Sequence, residues 1–256
     1  MIQVDANLQA LLVGGLWHGA IVFLRVSALV SLLPAFGSQT VPMRVRLMLA
    51  LAFTAIVAPA APNFAATPEF GEFIRFALTE VTIGLALGMG IRLFVLALQT
   101  AGSIAGQATS LAQIFGAAGM DPIPAMGQVL VFAGLALAVM AGLHIRAAEF
   151  LILSYDMLPA GEFPDAASLS AWGTGRVAHA FSLAFQLSAP FVMTAVIYNL
   201  TLGAINRAMP QMMVAFVGAP VITFGGLFIL FAASPLLLSV WREALNAFLA
   251  NPLELR

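Results

Sequence analysis

FIRFALTEVTIGLALGMGIRLFVLALQTAGSIAGQATSLAQIF, from Phe73 to Phe115, is the stretch whose reading decides how this chain folds. It contains no proline, and only Arg75, Glu80 and Arg92 interrupt its apolar and small residues with charge. A bilayer core takes roughly 20 apolar residues per helical span, so this stretch is too long for one simple crossing. Its apolar residues run on without alternating, which selects helix over the strand of a membrane barrel.

The same character extends outward in both directions. Of 256 residues, 62% are hydrophobic and 8% charged, where soluble domains carry roughly 25% charged residues. Lipid is therefore the main solvent. Upstream, one apolar run covers about Leu8 to Leu33 and closes at Pro34 and Gly37; a shorter one follows Arg44 and Arg46 and degrades through Pro59 and Pro62. Downstream, the cluster from Gly116 to Pro124 predicts a loop. A run from about Val129 continues past His144 towards Tyr155, and an acidic connector follows from Asp156 to Asp165. The last runs, about Val177 to Ile205 and Met212 to Trp241, contain Pro190, Pro220 and Pro235. The pattern predicts an all-α integral membrane protein. It consists of one membrane domain over residues 1–256, with about six hydrophobic helical segments kinked by proline and glycine. The N-terminus reads as the start of a helix rather than a cleaved signal. Arginines fall on both sides of the segments, so the positive-inside rule assigns no orientation.

Several function classes are excluded at this level. All ten basic residues are Arg against eleven acids, so the chain has no basic footprint for nucleic acid. Cysteine is absent, and His18, His144 and His179 sit beside no acidic ligand cluster; no metal or cofactor site is expected. Neither a zinc-protease pair, nor a phosphate-cradling loop, nor a base for Ser103 is present, so nothing argues for an enzyme.

Two features point to function. Gln99, Ser103, Gln107, Ser110 and Gln113 are spaced by four, four, three and three, along one helical face. Such neutral hydrogen-bonding side chains either face water in a channel or satisfy themselves against neighbouring helices. The stripe leads into the glycine- and proline-rich loop, a candidate re-entrant or plugging element. Arg25, Glu80 and Arg92 lie inside apolar runs, where an unpaired charge costs about 2.5–3.5 kcal/mol. Glu80 is therefore expected to pair with Arg25 or Arg92. Small residues four apart at Gly15/Gly19, Gly84/Gly88 and Gly102/Gly106 predict close helix packing.

The residues also carry a resemblance over almost the whole chain. Arg25, Pro34, Phe36, Gly37, Pro42, Arg44 and Arg46 are followed by Gly142-Leu143-His144, Ser154-Tyr155 and Leu158-Pro159. The most specific string runs from Asn199 through Gly203, Arg207 and Pro210 to Gln211, followed by Gly218, Pro220 and Gly225. In these the chain resembles the FliR family of flagellar type III export-gate subunits, whose injectisome counterpart is the T-family export protein; overall similarity favours the flagellar branch. Met212 and Met213 stand where the family often has a polar residue.

The resemblance implies bent helical hairpins within a closed helical assembly with FliP-like and FliQ-like subunits. It also implies FlhB-like and FlhA-like proteins nearby and the passage of unfolded export substrates. It implies the bacterial inner membrane and the flagellar basal body, with much of the assembly towards the periplasmic side. It also implies a pore plug over residues 106–122, which here include Gly106, Gln107, Ser110, Gln113, Phe115, Gly116, Gly119 and Met120. Two rival readings differ in kind. A secondary transporter would show related halves, which this sequence lacks; a scaffold without a pore would seal the stripe from Gln99 to Gln113 against other helices.

Overall fold

The computed structural model describes residues 6–37, 41–62, 69–109, 125–209 and 214–254. Among these residues the chain is helical throughout: α1 (Ala6–Leu32), α2 (Met43–Val57) with a 3-10 turn (Ala58–Ala60), α3 (Phe70–Thr109), α4 (Ala125–Met140), α5 (Leu143–Met157), α6 (Ala166–Ala208) and α7 (Val214–Ala250). Five of these helical stretches are long and apolar enough to cross a membrane, and counting α4 with α5 as one bent span makes six. Most of the long Pro-free stretch lies in one helix of 40 residues, Phe70–Thr109, which at 1.5 Å per residue follows a path of about 60 Å, twice a bilayer core.

Helix boundaries follow local chemistry. The turn after α1 spans Leu33 to Gly37, closed by Gly37 N–H donating to Leu33 O at 2.7 Å. Within it Ala35 takes a φ of 67°, a left-handed conformation unusual for a residue with a Cβ. The run expected to continue past His144 is broken instead: Gly142, at φ 83°, ends one helix and caps the next, which only glycine does without steric penalty. Helix α6 starts well before the apolar run at Val177. Asp165 Oδ2 accepts both Ser168 N–H and Ser168 Oγ–H at 2.8 Å, satisfying a donor of the first turn. Pro190 lies inside α6, where its missing N–H removes one helical bond without ending the helix. Helix α7 likewise continues beyond the apolar run that closes at Trp241, to Ala250.

The chain divides into two compact units, each assembled from separate segments. The first comprises Met1–Arg92, Val139–Arg176 and Ala247–Arg256; the second comprises Leu93–Ala138 and Val177–Asn246. In the first, Ile21, Val22 and Leu29 of α1, Ile83, Leu87 and Ile91 of α3, and Phe150 and Leu151 of α5 form the buried core. Gly84 lets α3 lie against α1, since a Cβ there would stand 2.8 Å from the Ala28 Cβ. His18 Nε2 donates to Ala58 O at 2.7 Å and ties α1 to the end of α2. In the second unit, Leu98, Ala101 and Ala105 of α3, Leu130 of α4, Leu187 and Phe191 of α6, and Trp241 of α7 are buried. Trp241 Nε1 donates to Phe94 O at 2.8 Å, so its polar atom is satisfied inside the core.

Candidate functional site

On α3, Phe94, Leu98, Ala101 and Ala105 turn inward while Gln99 and Gln107 are exposed and Ser103 half-buried. At 100° per residue the two sets occupy opposite faces of the helix. The inward face is held tightly: Gly102 meets Gly127 of α4 backbone to backbone, and a Cβ on Gly102 would stand 2.8 Å from Gly127 N. Gly134 of α4 faces Leu98, whose Cδ1 would lie 2.6 Å from an added Cβ. The stripe thus points away from the unit's own core. Gly106 is buried. Ser110, Gln113, Phe115, Gly116, Gly119 and Met120, with the rest of the expected plug from residue 110 onward, lie outside the described residues.

The embedded charges separate. Arg25 and Glu80 are fully buried and paired, Nε to Oε2 at 2.7 Å and Nη2 to Oε1 at 3.1 Å. The guanidinium's other donors reach Ser154 O and Ser154 Oγ at 3.1 Å through Nη1, and Leu158 O at 2.9 Å through Nη2. All five N–H groups therefore have an acceptor. The Tyr155 ring lies 3.9 Å from the guanidinium carbon, and Gly161 N–H donates to Glu80 Oε1 at 3.3 Å. This knot joins α1, α3 and α5 and holds the connector after α5, which is how two charges are tolerated in an apolar interior. Arg92, by contrast, is exposed and makes no ion pair among the described residues.

The remaining motif residues divide between turns and surface. Pro34 and Gly37 form the turn after α1; Arg44 is exposed, and Arg46 Nε donates to Val41 O at 3.1 Å at the start of α2. Asn199, Gly203 and Arg207 are exposed along the last turns of α6, where Leu200 and Thr201 are exposed too. Pro210 and Gln211 lie outside the described residues. The described part of the string quoted for its specificity therefore lies along a largely exposed stretch of α6.

One cluster escaped the sequence reading. Arg176, 4% exposed, donates through Nη2 to Pro252 O at 2.9 Å and to Glu254 O, and lies 4.9 Å from the Phe248 ring. Trp172 Nε1 donates to the same Pro252 O at 2.8 Å. The available signal was the spacing of four between Trp172 and Arg176, which puts both on one helix face. Their partners are backbone carbonyls near the end of the chain, which leave no mark in side-chain pattern.

Residues 16–248 match a family described as bacterial export proteins, family 1. The chain is 32% identical over 237 residues to the flagellar biosynthetic protein FliR of Caulobacter vibrioides, covering 90% of this chain and 94% of that one. To the FliR of Aquifex aeolicus it is 31% identical, covering 84% of each chain. To that of Escherichia coli it is 29% identical over 217 residues, covering 84% of this chain and 83% of that one.

Proposed function

Because this chain belongs to the bacterial export proteins of family 1 and is a component of the flagellar type III export gate, we propose that it is a non-enzymatic subunit forming part of the export passage and its plug. It works with FliP-like and FliQ-like subunits, and with FlhB-like and FlhA-like proteins beside them. The assembly sits in the bacterial inner membrane at the flagellar basal body, with much of it towards the periplasmic side. The observation that carries this reading is the outward-facing neutral stripe Gln99, Ser103 and Gln107, opposite a packed apolar face.

An unfolded substrate needs a narrow wall that does not grip it, and a closure that stops ions when no substrate is present. Amides and hydroxyls hydrate the passage without offering an ionic anchor. A neutral wall also passes substrates of either charge. By sequence, Phe115 and Met120 supply the bulk of the closure, and Gly116 and Gly119 the backbone freedom to move it aside.

The chain has no cysteine, so single cysteines at positions 99, 103 and 107 report without background. In assembled gates they are expected to react with a small hydrophilic thiol reagent and to be protected by an arrested substrate. Protection at all three positions without substrate would place the stripe against other helices and overturn the reading. Deleting residues 106–122 is expected to raise ion leakage; unchanged conductance removes the plug from this segment.

A further inference from the structure

The first unit holds a cavity of about 310 Å³ that the stripe does not touch. Ile83, Ala86 and Leu87 of α3 form one wall, Leu169 and Trp172 of α6 another, and Leu253 adds an apolar side chain from the end of the chain. Its size is at the lower end of ordinary ligand pockets. The wall at Leu253 is held in place rather than loosely laid down: Trp172 and Arg176 both grip the carbonyl of the adjoining Pro252.

The rim has a different chemistry. Asp165 and Ser168 border the cavity, and Asp165 Oδ2 accepts both Ser168 bonds. Those bonds hold the exposed Asp165 carboxyl below its ordinary range, so it is ionised at neutral pH. Exposed acids also stand at Asp156, in the last turn of α5, and at Glu162, in the connector leading to Asp165, and residues 156–165 contain no base. Along the chain the nearest arginines are Arg146, exposed on α5, and Arg176, engaged by the carbonyls of Pro252 and Glu254. An apolar cavity thus opens beside the Asp165 carboxylate, where a polar connector enters an apolar helix. Its wall includes a Trp whose ring lines the apolar space while its N–H is satisfied by a carbonyl. That is the chemistry of the headgroup level of a bilayer, where Trp concentrates.

We propose that this cavity is a lipid site that takes one acyl chain of an ammonium-headed phospholipid, with the ammonium directed at the Asp165 rim. The acyl chain fills the apolar walls. A headgroup without an ammonium gains nothing from the Asp165 carboxylate and, if net negative, is repelled by it.

The test uses the full chain in its assembled complex, embedded in nanodiscs with a photoactivatable diazirine on the acyl chain of either phosphatidylethanolamine or phosphatidylglycerol. Cross-linked residues are mapped by peptide mass spectrometry. Labelling at Leu169 and Trp172 is expected to be several-fold stronger with phosphatidylethanolamine. Ala86→Phe, which fills the cavity, is expected to abolish it, and Asp165→Asn to erase the difference between headgroups. If Ala86→Phe does not assemble, Leu169→Trp fills the space from the other wall, with Trp172 and Ile83 as the mapped positions. Equal labelling by the two lipids in the unsubstituted chain, labelling undiminished by the filling variant, or a partner protein cross-linked in place of lipid would each overturn the proposal. Export by the same complex is an independent readout, so failure here leaves the export reading to its own test.

Discussion

The two halves of α3 treat polar side chains in opposite ways. Glu80, in the first unit, is fully buried and its carboxylate is shared between Arg25 and the Gly161 N–H. Gln99 and Gln107, in the second unit, face outward. A full charge inside an apolar segment must be neutralised by the chain that carries it, whereas a neutral amide can stand on the exposed face of a helix at far lower cost. The first half of the helix therefore places its polar groups inside the fold and the second places them on its surface.

The contrast breaks most visibly at Glu80. Glu80→Gln leaves the Arg25 guanidinium buried without its counter-charge and is expected to lower stability by about 3–5 kcal/mol, read as loss of assembled protein and a lower unfolding midpoint. Exchanging the pair, Arg25→Glu with Glu80→Arg, should not restore it. A carboxylate at position 25 would face the Ser154 and Leu158 carbonyl oxygens that now accept from Arg25. Full recovery by the exchange would mean that the carbonyls are incidental to the knot.

A smaller effect sharpens the comparison on the packed side of the second half. Gly102→Ala drives a methyl into the Gly127 backbone and is expected to cost about 1–3 kcal/mol. Gly127→Ala meets only ordinary contacts, the nearest at 3.5 Å, and should stay within about 0.5 kcal/mol. Equal effects in thermal unfolding would contradict this asymmetric crossing.

On the outward side the expected stability change is smaller still. Gln99→Leu combined with Gln107→Leu should shift stability by no more than about 0.5 kcal/mol while secretion of flagellar components falls. Secretion at the normal level would remove the stripe from the passage.

The smallest effect belongs to Asp165. Its carboxyl titrates below the ordinary 3.8 because it accepts the Ser168 backbone and side-chain bonds. Its contribution to the start of α6 is therefore complete above that value and disappears as pH falls through the lower, folded-state pKa. Asp165→Ala should produce a slight loss of stability at neutral pH that vanishes under strong acid. A loss of the same size at every pH would mean that the ionised cap is not its source.

How much of this was legible beforehand depended on the range of the interactions. Within the described residues, the Pro-free run from Phe73 announced a helix longer than one span, and the spacing of Gln99, Ser103 and Gln107 announced a polar face, because both are properties local to one segment. Gly142 was not legible as a break, since the surrounding run is apolar and a positive φ has no signature beyond the glycine itself. The early start of α6 was missed because residues 166–176 are mixed in polarity, although Asp165 and Ser168 stand at capping distance.

By itself, then, the sequence determined that this chain lives among lipid, that it is helical, and where uncharged polar groups line up, because hydropathy and helical period are local properties. Only the tertiary structure decided that Glu80 belongs to Arg25 and not Arg92, that Gly102 is the residue a methyl would displace, and that Arg176 grips the end of the chain. Each depends on atoms from segments far apart in sequence, several of them backbone carbonyls, and a carbonyl is the same in every residue until folding gives it a position.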